Sequence, residues 1–290
     1  MSVEWHDLRD SADPELDRLA ERYHLHPLHI EDCRHRNQSA KIEELDGYIF
    51  LVLKPVVLKE DGDLDACDLD VFLGPDFLIT VREGADDVVS PLLDRLRNDW
   101  GAARGDQIFY RIIDGVVDSY LPVLERYSDA IDEIEELVLE EPDPNTLQRV
   151  FSTKRALIQL RRVMGNMRDV ASHLQRMTSP LVAPDMWPFL RDLYDHLARS
   201  LDLIEMQRDI LSGALDIYLS SVANHTNRVM KVLTVLGTVA LPALVVSSIY
   251  GMNVRGLPWS NHPQAFVIVS ALSAVLTVLL LALLRIFKWF

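Results

Sequence analysis

Two uninterrupted apolar runs close the chain. The first extends from Val232 to Tyr250 and contains no charged residue; the second starts at Ala265 and continues to Phe287, uncharged as far as Leu284. About 20 helical residues cross a hydrocarbon core of about 30 Å. The runs therefore predict two transmembrane helices, at about 232–250 and 265–287, joined by a short outer loop.

The region before them has helical periodicity. From Ile108 to Leu139, Ile112, Val116, Tyr120, Leu124, Tyr127, Ile131, Ile134 and Val138 recur at three or four, and the other face is acidic. Pro142-Asp143-Pro144 turns the chain. A basic helix is expected from Asn145 to about Met177, carrying Arg149, Lys154, Arg155, Arg161, Arg162 and Arg168. The pair reads as an antiparallel hairpin with exposed charge pairs, each of small worth. The acidic tip could concentrate cations, but a solvated helix face explains it more simply. From Pro188, leucines recur without a breaker as far as Pro242. A single helix continued to Tyr250 would be roughly 90 Å long at 1.5 Å per residue. Its sustained heptad-like spacing suggests packing against copies of itself.

The first 105 residues are different. Asp13–Tyr23 has helical spacing with Ser11 or Asp13 as cap, and a second helix starts after His26-Pro27. Tyr48–Leu53, Asp68–Leu73 and Phe77–Val81 read as strands, and Ser90–Trp100 as a helix. The expected fold class is thus an α+β (αβα) cytoplasmic domain over 1–105, long helices over 106–228, and a transmembrane domain over 229–290.

Charge sharpens this division. The stretch from residue 229 onward has four basic residues (Lys231, Arg255, Arg285, Lys288) and no acid, so the −15 total leaves −19 on residues 1–228. That balance suits cations and argues against nucleic acid as a partner. Cys33 and Cys67 form no CxxC, so neither a disulfide framework nor a thiolate metal site is expected. The polar, acidic N-terminus does not read as a signal peptide. Arg228 and Lys231 before the first span, with Arg285 and Lys288 after the second, put both termini in the cytoplasm of a multi-pass protein of the cell (inner) membrane. No phosphate loop and no Gly-x-Ser-x-Gly is present, and no enzyme reading emerges.

Two constellations carry candidate chemistry. His24, His26 and His29 precede Glu31 and Asp32, but Pro27 keeps the histidines off one helix face, so capping and packing are expected rather than a metal site. On the first span, steps of three or four connect Asn227, Met230, Leu233 or Thr234, Gly237, Leu241, Leu244, Ser248 and Gly251. This narrow stripe of small, hydroxyl and flexible apolar residues has two open readings: a pore lining, which would take several chains around an axis, or a close-packed helix interface.

Tyr250-Gly251-Met252-Asn253 ends a span that opens Val-Met-Lys-Val-Leu-Thr and carries Pro242. Together with Leu25-His26-Pro27-Leu28, Lys41-Ile42-Glu43-Glu44, the run from Arg191 to His196 and the run from Ser212 to Val222, it resembles the CorA family of divalent-cation channels over almost the whole chain. The resemblance implies a funnel-shaped homopentamer in the lipid bilayer with the first span lining the pore. Gly251, Met252 and Asn253 match its selectivity filter, with amide oxygens facing the outer mouth. Met230 and Leu233 match an apolar constriction, continued by Gly237, Leu241 and Leu244. Asn227 matches a polar ring at its inner end and Asp216 an acidic ring farther into the cytoplasm. Asp192 matches one carboxylate of a regulatory Mg2+ site. The partner position is Ser90 here, with Asp86 and Asp87 near enough to substitute. No tightly bound cofactor is implied; Mg2+ is both cargo and regulator, with Co2+ and Ni2+ as further substrates.

The loop Arg255-Gly256-Leu257-Pro258-Trp259 lacks the family's usual acid and is slightly more similar to the ZntB-like branch. A Zn2+ transporter on the same scaffold, perhaps proton-linked, is therefore the second reading. A membrane-anchored structural oligomer is the third, and an amide at the membrane exit argues against it.

Overall fold

The computed structural model describes residues 3–35, 38–59, 64–82, 89–99, 101, 103–139, 143–252, 256–259 and 262–287. The chain forms two compact units, Met1–Val138 with Asp143–Leu215, and Leu139–Pro142 with Asp216–Phe290.

The first unit is built on strands β1 (Glu4–Leu8), β2 (Lys41–Leu45), β3 (Tyr48–Leu53), β4 (Val56–Leu58), β5 (Leu64–Ala66), β6 (Leu69–Leu73) and β7 (Phe77–Arg82). Five of them pair in the order β1-β7-β6-β3-β2, with only β1·β7 parallel; β4 and β5 form a separate two-stranded sheet. Every residue of β3, β6 and β7 is buried, because both faces of these inner strands are covered, and such strands read as continuous apolar runs. The Asp46-Gly47 turn between β2 and β3 uses Gly47 at φ +106°, where a residue with a Cβ would be strained.

Helices α1 (Pro14–Tyr23) and α2 (Pro27–Arg34) cover one face. Leu16, Leu19, Leu25, Ile30 and Cys33 meet Phe50, Val52, Phe72, Ile79 and Val81 there. Asp13 caps α1, its Oδ1 accepting from Glu15 N at 2.9 Å, with Pro14 in the first helical position. The expected helix over 90–100 is α3 (Val89–Asp99). It packs on α4 (Gly105–Asp118), which lies against β6 and β7.

The sequence pattern differs from the fold in three respects. The helix expected from Ile108 to Leu139 is interrupted at Ser119 and continues as α5 (Tyr120–Leu139). Pro122 has no N–H for the carbonyl of Asp118, while the Ser119 hydroxyl turns back to Val116 O at 2.6 Å; proline is tolerated only in the first turn of the new helix. Strands β1, β2, β4 and β5 were not legible, being polar edges or three residues long. The basic helix is α6 (Pro144–Arg176). Arg149 reaches Glu133 of α5, but Arg161 pairs with Glu205 and Lys154 donates to Ser212, both on α7 (Trp187–Tyr250). The basic helix therefore reaches α7 through Arg161 and Lys154 as well as α5 through Arg149.

In the second unit α7 continues through its 64 residues with Pro242 inside, and α8 (Ala265–Ile286) follows. Both are long and apolar enough to cross a membrane.

Phe50→Ala should destabilise the first unit by about 3–5 kcal/mol, the usual cost of emptying a buried aromatic site. Exposed Leu28→Ala should stay within about 0.5 kcal/mol. Thermal unfolding in detergent measures both, and equal shifts would mean that the core is not centred on Phe50.

Candidate functional site

The stripe on α7 lies open in the chain. Asn227, Met230, Leu233, Gly237, Leu241 and Leu244 are all exposed, Leu233 at 66 %. The covered face of the same helix carries buried Pro242 and Val246 and half-buried Val235 and Thr238. At about 100° per residue the two stripes lie on nearly opposite sides of the helix. On α8 the half-covered positions Ala265, Val269, Ser273, Thr277, Leu280 and Leu284 also repeat at three or four. The hydroxyls of the span bond to its own backbone: Thr234 to Met230 O and Thr238 to Thr234 O, each at 2.8 Å. This satisfies polar groups where no water would reach them.

At the end of the span Gly251 N donates to Ser247 O at 2.8 Å, and Met252 N to Ile249 O at 3.3 Å. Tyr250 Oη donates to Pro258 O at 3.0 Å and ties the helix end to the connection leading to α8. Met252 is exposed at this end. Asn253 lies outside the described residues, as do Asp86 and Asp87. Asp216 is exposed on α7.

Asp192, near the start of α7, is exposed, with His196 Nε2 3.6 Å from its Oδ2. Sequence reasoning missed the groups opposite. Tyr110, Asp114 and Asp118 recur every four residues on α4 and so share one face. Tyr110 Oη donates to Asp114 Oδ1 at 3.0 Å. Burial raises the Asp114 carboxyl above its ordinary value; the Tyr110 hydrogen bond opposes this, the charge of Asp118 adds to it, and His196 and Asp192 act more weakly in opposite directions. Two helices thus bring three carboxylates into one electrostatic neighbourhood. Among the described residues no group of three has the geometry to hold a metal ion unaided. The four-residue spacing of Asp114 and Asp118 was the available signal, but only the fold places it beside Asp192.

Ser90 has a different task. Its hydroxyl accepts from Arg82 Nη1 at 2.7 Å. Arg82 is 2 % exposed and also holds Asp7, with Nε donating to Oδ1 at 3.1 Å and Nη2 to Oδ2. Thr80 donates to the same Asp7 oxygen at 2.9 Å, and Trp5 Nε1 to Thr80 Oγ1 at 3.1 Å. Ser90 is thus one of the acceptors of a buried guanidinium.

The three histidines cap and pack. His24 ends α1 in the left-handed conformation (φ 54°), its N–H bonded to Ala20 O. His26 Nδ1 accepts from Leu28 N at 3.2 Å at the start of α2. His29 is buried between Tyr48 Oη (2.9 Å from Nδ1) and Glu43 Oε2 (3.1 Å from Nε2) and stacks on Phe50. Lys41 sits between Asp32 and Glu43 at 2.7 and 2.8 Å.

A sheet-based unit followed by two helices long and apolar enough to cross a membrane, the first presenting an open stripe of small and flexible apolar residues, fits a membrane protein. The family model described as CorA-like Mg2+ transporter protein matches residues 2–285, and the chain belongs to that family. It is 36 % identical to the cobalt/magnesium transport protein CorA of Thermotoga maritima over 94 % of this chain and 79 % of that one. Its fold is similar to the CorA magnesium transporter of Methanocaldococcus jannaschii, with a TM-score of 0.84 at 24 % identity, covering 99 % of this chain and 91 % of that one. The ZntB cytoplasmic domain of Vibrio parahaemolyticus is similar at a TM-score of 0.62 and 16 % identity, over 77 % of this chain and 90 % of that domain. The family is one of transporters, not enzymes.

Ser90→Ala should lower stability by about 1–3 kcal/mol, because a buried N–H of Arg82 loses its acceptor. Ser90→Thr, which keeps the hydroxyl, should recover part of it. Thermal unfolding checks this, and an unchanged midpoint for Ser90→Ala would mean that water replaces the hydroxyl without cost.

Proposed function

We propose that this protein is a Mg2+ channel of the cell membrane, also passing Co2+ and Ni2+, in which copies of α7 surround the ion path. The observation that carries the reading is the exposed stripe from Met230 to Leu244, set away from the covered face of its helix and ending at Gly251. One two-span chain cannot enclose a path, so the functional unit is an oligomer, and the family relationship favours a homopentamer. Both termini are cytoplasmic, and the chain divides into an αβα domain (1–105), a helical region (106–228) and a membrane domain (229–290). A ring of Asn253 amide oxygens accepts hydrogen bonds from the water shell of Mg2+, an ion that gives up its water reluctantly. A carboxylate ring would bind more tightly and slow release. Gly251 and Met252 shape this filter. Met230 and Leu233 form an apolar constriction that closes by dewetting, extended by Gly237, Leu241 and Leu244, with Asn227 and Asp216 on the inner side.

Cytoplasmic Mg2+ regulates the channel through Asp192. The uncharged Ser90, already engaged by Arg82, supplies no carboxylate, so Asp114 and Asp118 of α4 support Asp192, with Asp86 and Asp87 as further acids. When cytoplasmic Mg2+ is low, the site empties, unscreened carboxylates repel across subunits, and the assembly opens. The acid-free loop 255–259 supports a second reading, Zn2+ as cargo on the same scaffold.

In proteoliposomes, Mg2+ uptake should be lost in Asn253→Ala while mass photometry still reports a pentamer. Normal Mg2+ uptake by that variant would remove the filter; Zn2+ uptake alone, responsive to a proton gradient, would favour the second reading; a dimer would remove the pore. Asp192→Ala should leave uptake less sensitive to internal Mg2+, and unchanged inhibition would place the sensor elsewhere.

A further inference from the structure

The core between the sheet and α2 contains a carboxyl group without a counter-charge of its own. β6 is the central strand, and Asp70 stands in it between Val52 of β3 and Val81 of β7. Alternation along the strand puts its side chain on the face of Phe72, the face that α1 and α2 cover. Asp70 is 3 % exposed, and its Oδ1 has no hydrogen-bond partner. The Cys33 thiol of α2 donates to the carboxyl.

The groups around it do not neutralise a negative charge. From α2 come Cys33 and the carboxylate of Asp32; from its own strand end, Asp68. β7 contributes Val81, and α1 contributes Leu16 and Leu19 to the same apolar cluster. Lys54, at the end of β3, is the cation among these groups, and it is engaged: its Nζ pairs with Asp68 Oδ1, while the other Asp68 oxygen accepts from Gln38 N at 3.0 Å. A carboxylate buried among valines, a thiol and two other acids lacks the partners that would offset its desolvation, and a proton is the least costly way to remove the charge. Burial pushes Asp70 up to about 7; the charge of Asp68 adds to this, and the Cys33 hydrogen bond opposes it.

We propose that Asp70 is a resident proton site of the first unit: folding holds its carboxyl neutral, and release of that proton to solvent loosens α2 from β6, so that the stability of this unit follows pH. The sign is fixed by linkage. The unfolded carboxyl titrates near 3.8, so the folded chain binds the proton more tightly. The stability this contributes is complete below the unfolded value, declines as the pH rises, and is absent above about 7.

The test is thermal unfolding of the full chain in detergent, wild type against Asp70→Asn, between about pH 5 and about pH 8. Asparagine cannot ionise, so the midpoint of the variant minus that of wild type should increase with pH up to about 7 and level off above it. A difference that does not change with pH would overturn the proposal. Hydrogen exchange on the wild-type chain gives a second measure that needs no variant. After correction for the intrinsic pH dependence of exchange, protection of 27–34 and 69–73 should fall as pH rises through about 7, more than protection of α6. Protection that stays level in α2 and β6 would overturn it as well.

Discussion

A divalent cation holds its water tightly and hydrocarbon offers it no ligand, so its path through a bilayer has to be lined by protein groups that neither strip the water nor retain the ion. In the proposed reading, the membrane unit answers that constraint. The hydroxyls of Thr234 and Thr238 are spent on backbone carbonyls of their own helix. Pro242 and Val246 mark a covered side, and the side carrying Met230, Gly237 and Leu244 is left open. Among the described residues two helices are long and apolar enough to span, and the proposed oligomer would supply neighbours for this open face.

The first unit places charge inside with care. Asp7 and Arg82 form a nearly fully buried pair, completed by Thr80 and Ser90, and Lys54 with Asp68 form another. Buried pairs of this kind add little net stability, but removing one partner is costly, and they fix which groups face each other. Here the Asp7–Arg82 pair connects β1 and β7 with the start of α3. The same sheet supports α4, which presents Asp114 and Asp118 toward Asp192. A regulatory cation reading rests on this juxtaposition rather than on any one acid.

Two positions separate this chain from the pattern its family resemblance implies. Ser90 is not a substitute ligand but the acceptor of a buried guanidinium, which moves the search for partners of Asp192 to α4. The connection between α7 and α8 has no acid between Arg255 and Trp259, so in the proposed channel cation attraction there would come from amide and backbone oxygens. Neither departure touches the stripe on α7.

The spans, the helical region and the inner strands β3, β6 and β7 were legible in the sequence because each buries or exposes a continuous apolar surface, which leaves a one-dimensional trace. The end of the first span at Tyr250 was legible for the same reason. The polar edges β1 and β2 left no such trace, and the break at Ser119 was hidden by an apolar period that continues across it while Pro122 interrupts the backbone hydrogen bonds. The grouping of Asp192 with Asp114 and Asp118, the engagement of Ser90 by Arg82, and the isolation of Asp70 beside Cys33 depend on residues far apart in the chain. Periodicity records which face of an element is apolar; only the packing of one element on another decides which charges meet.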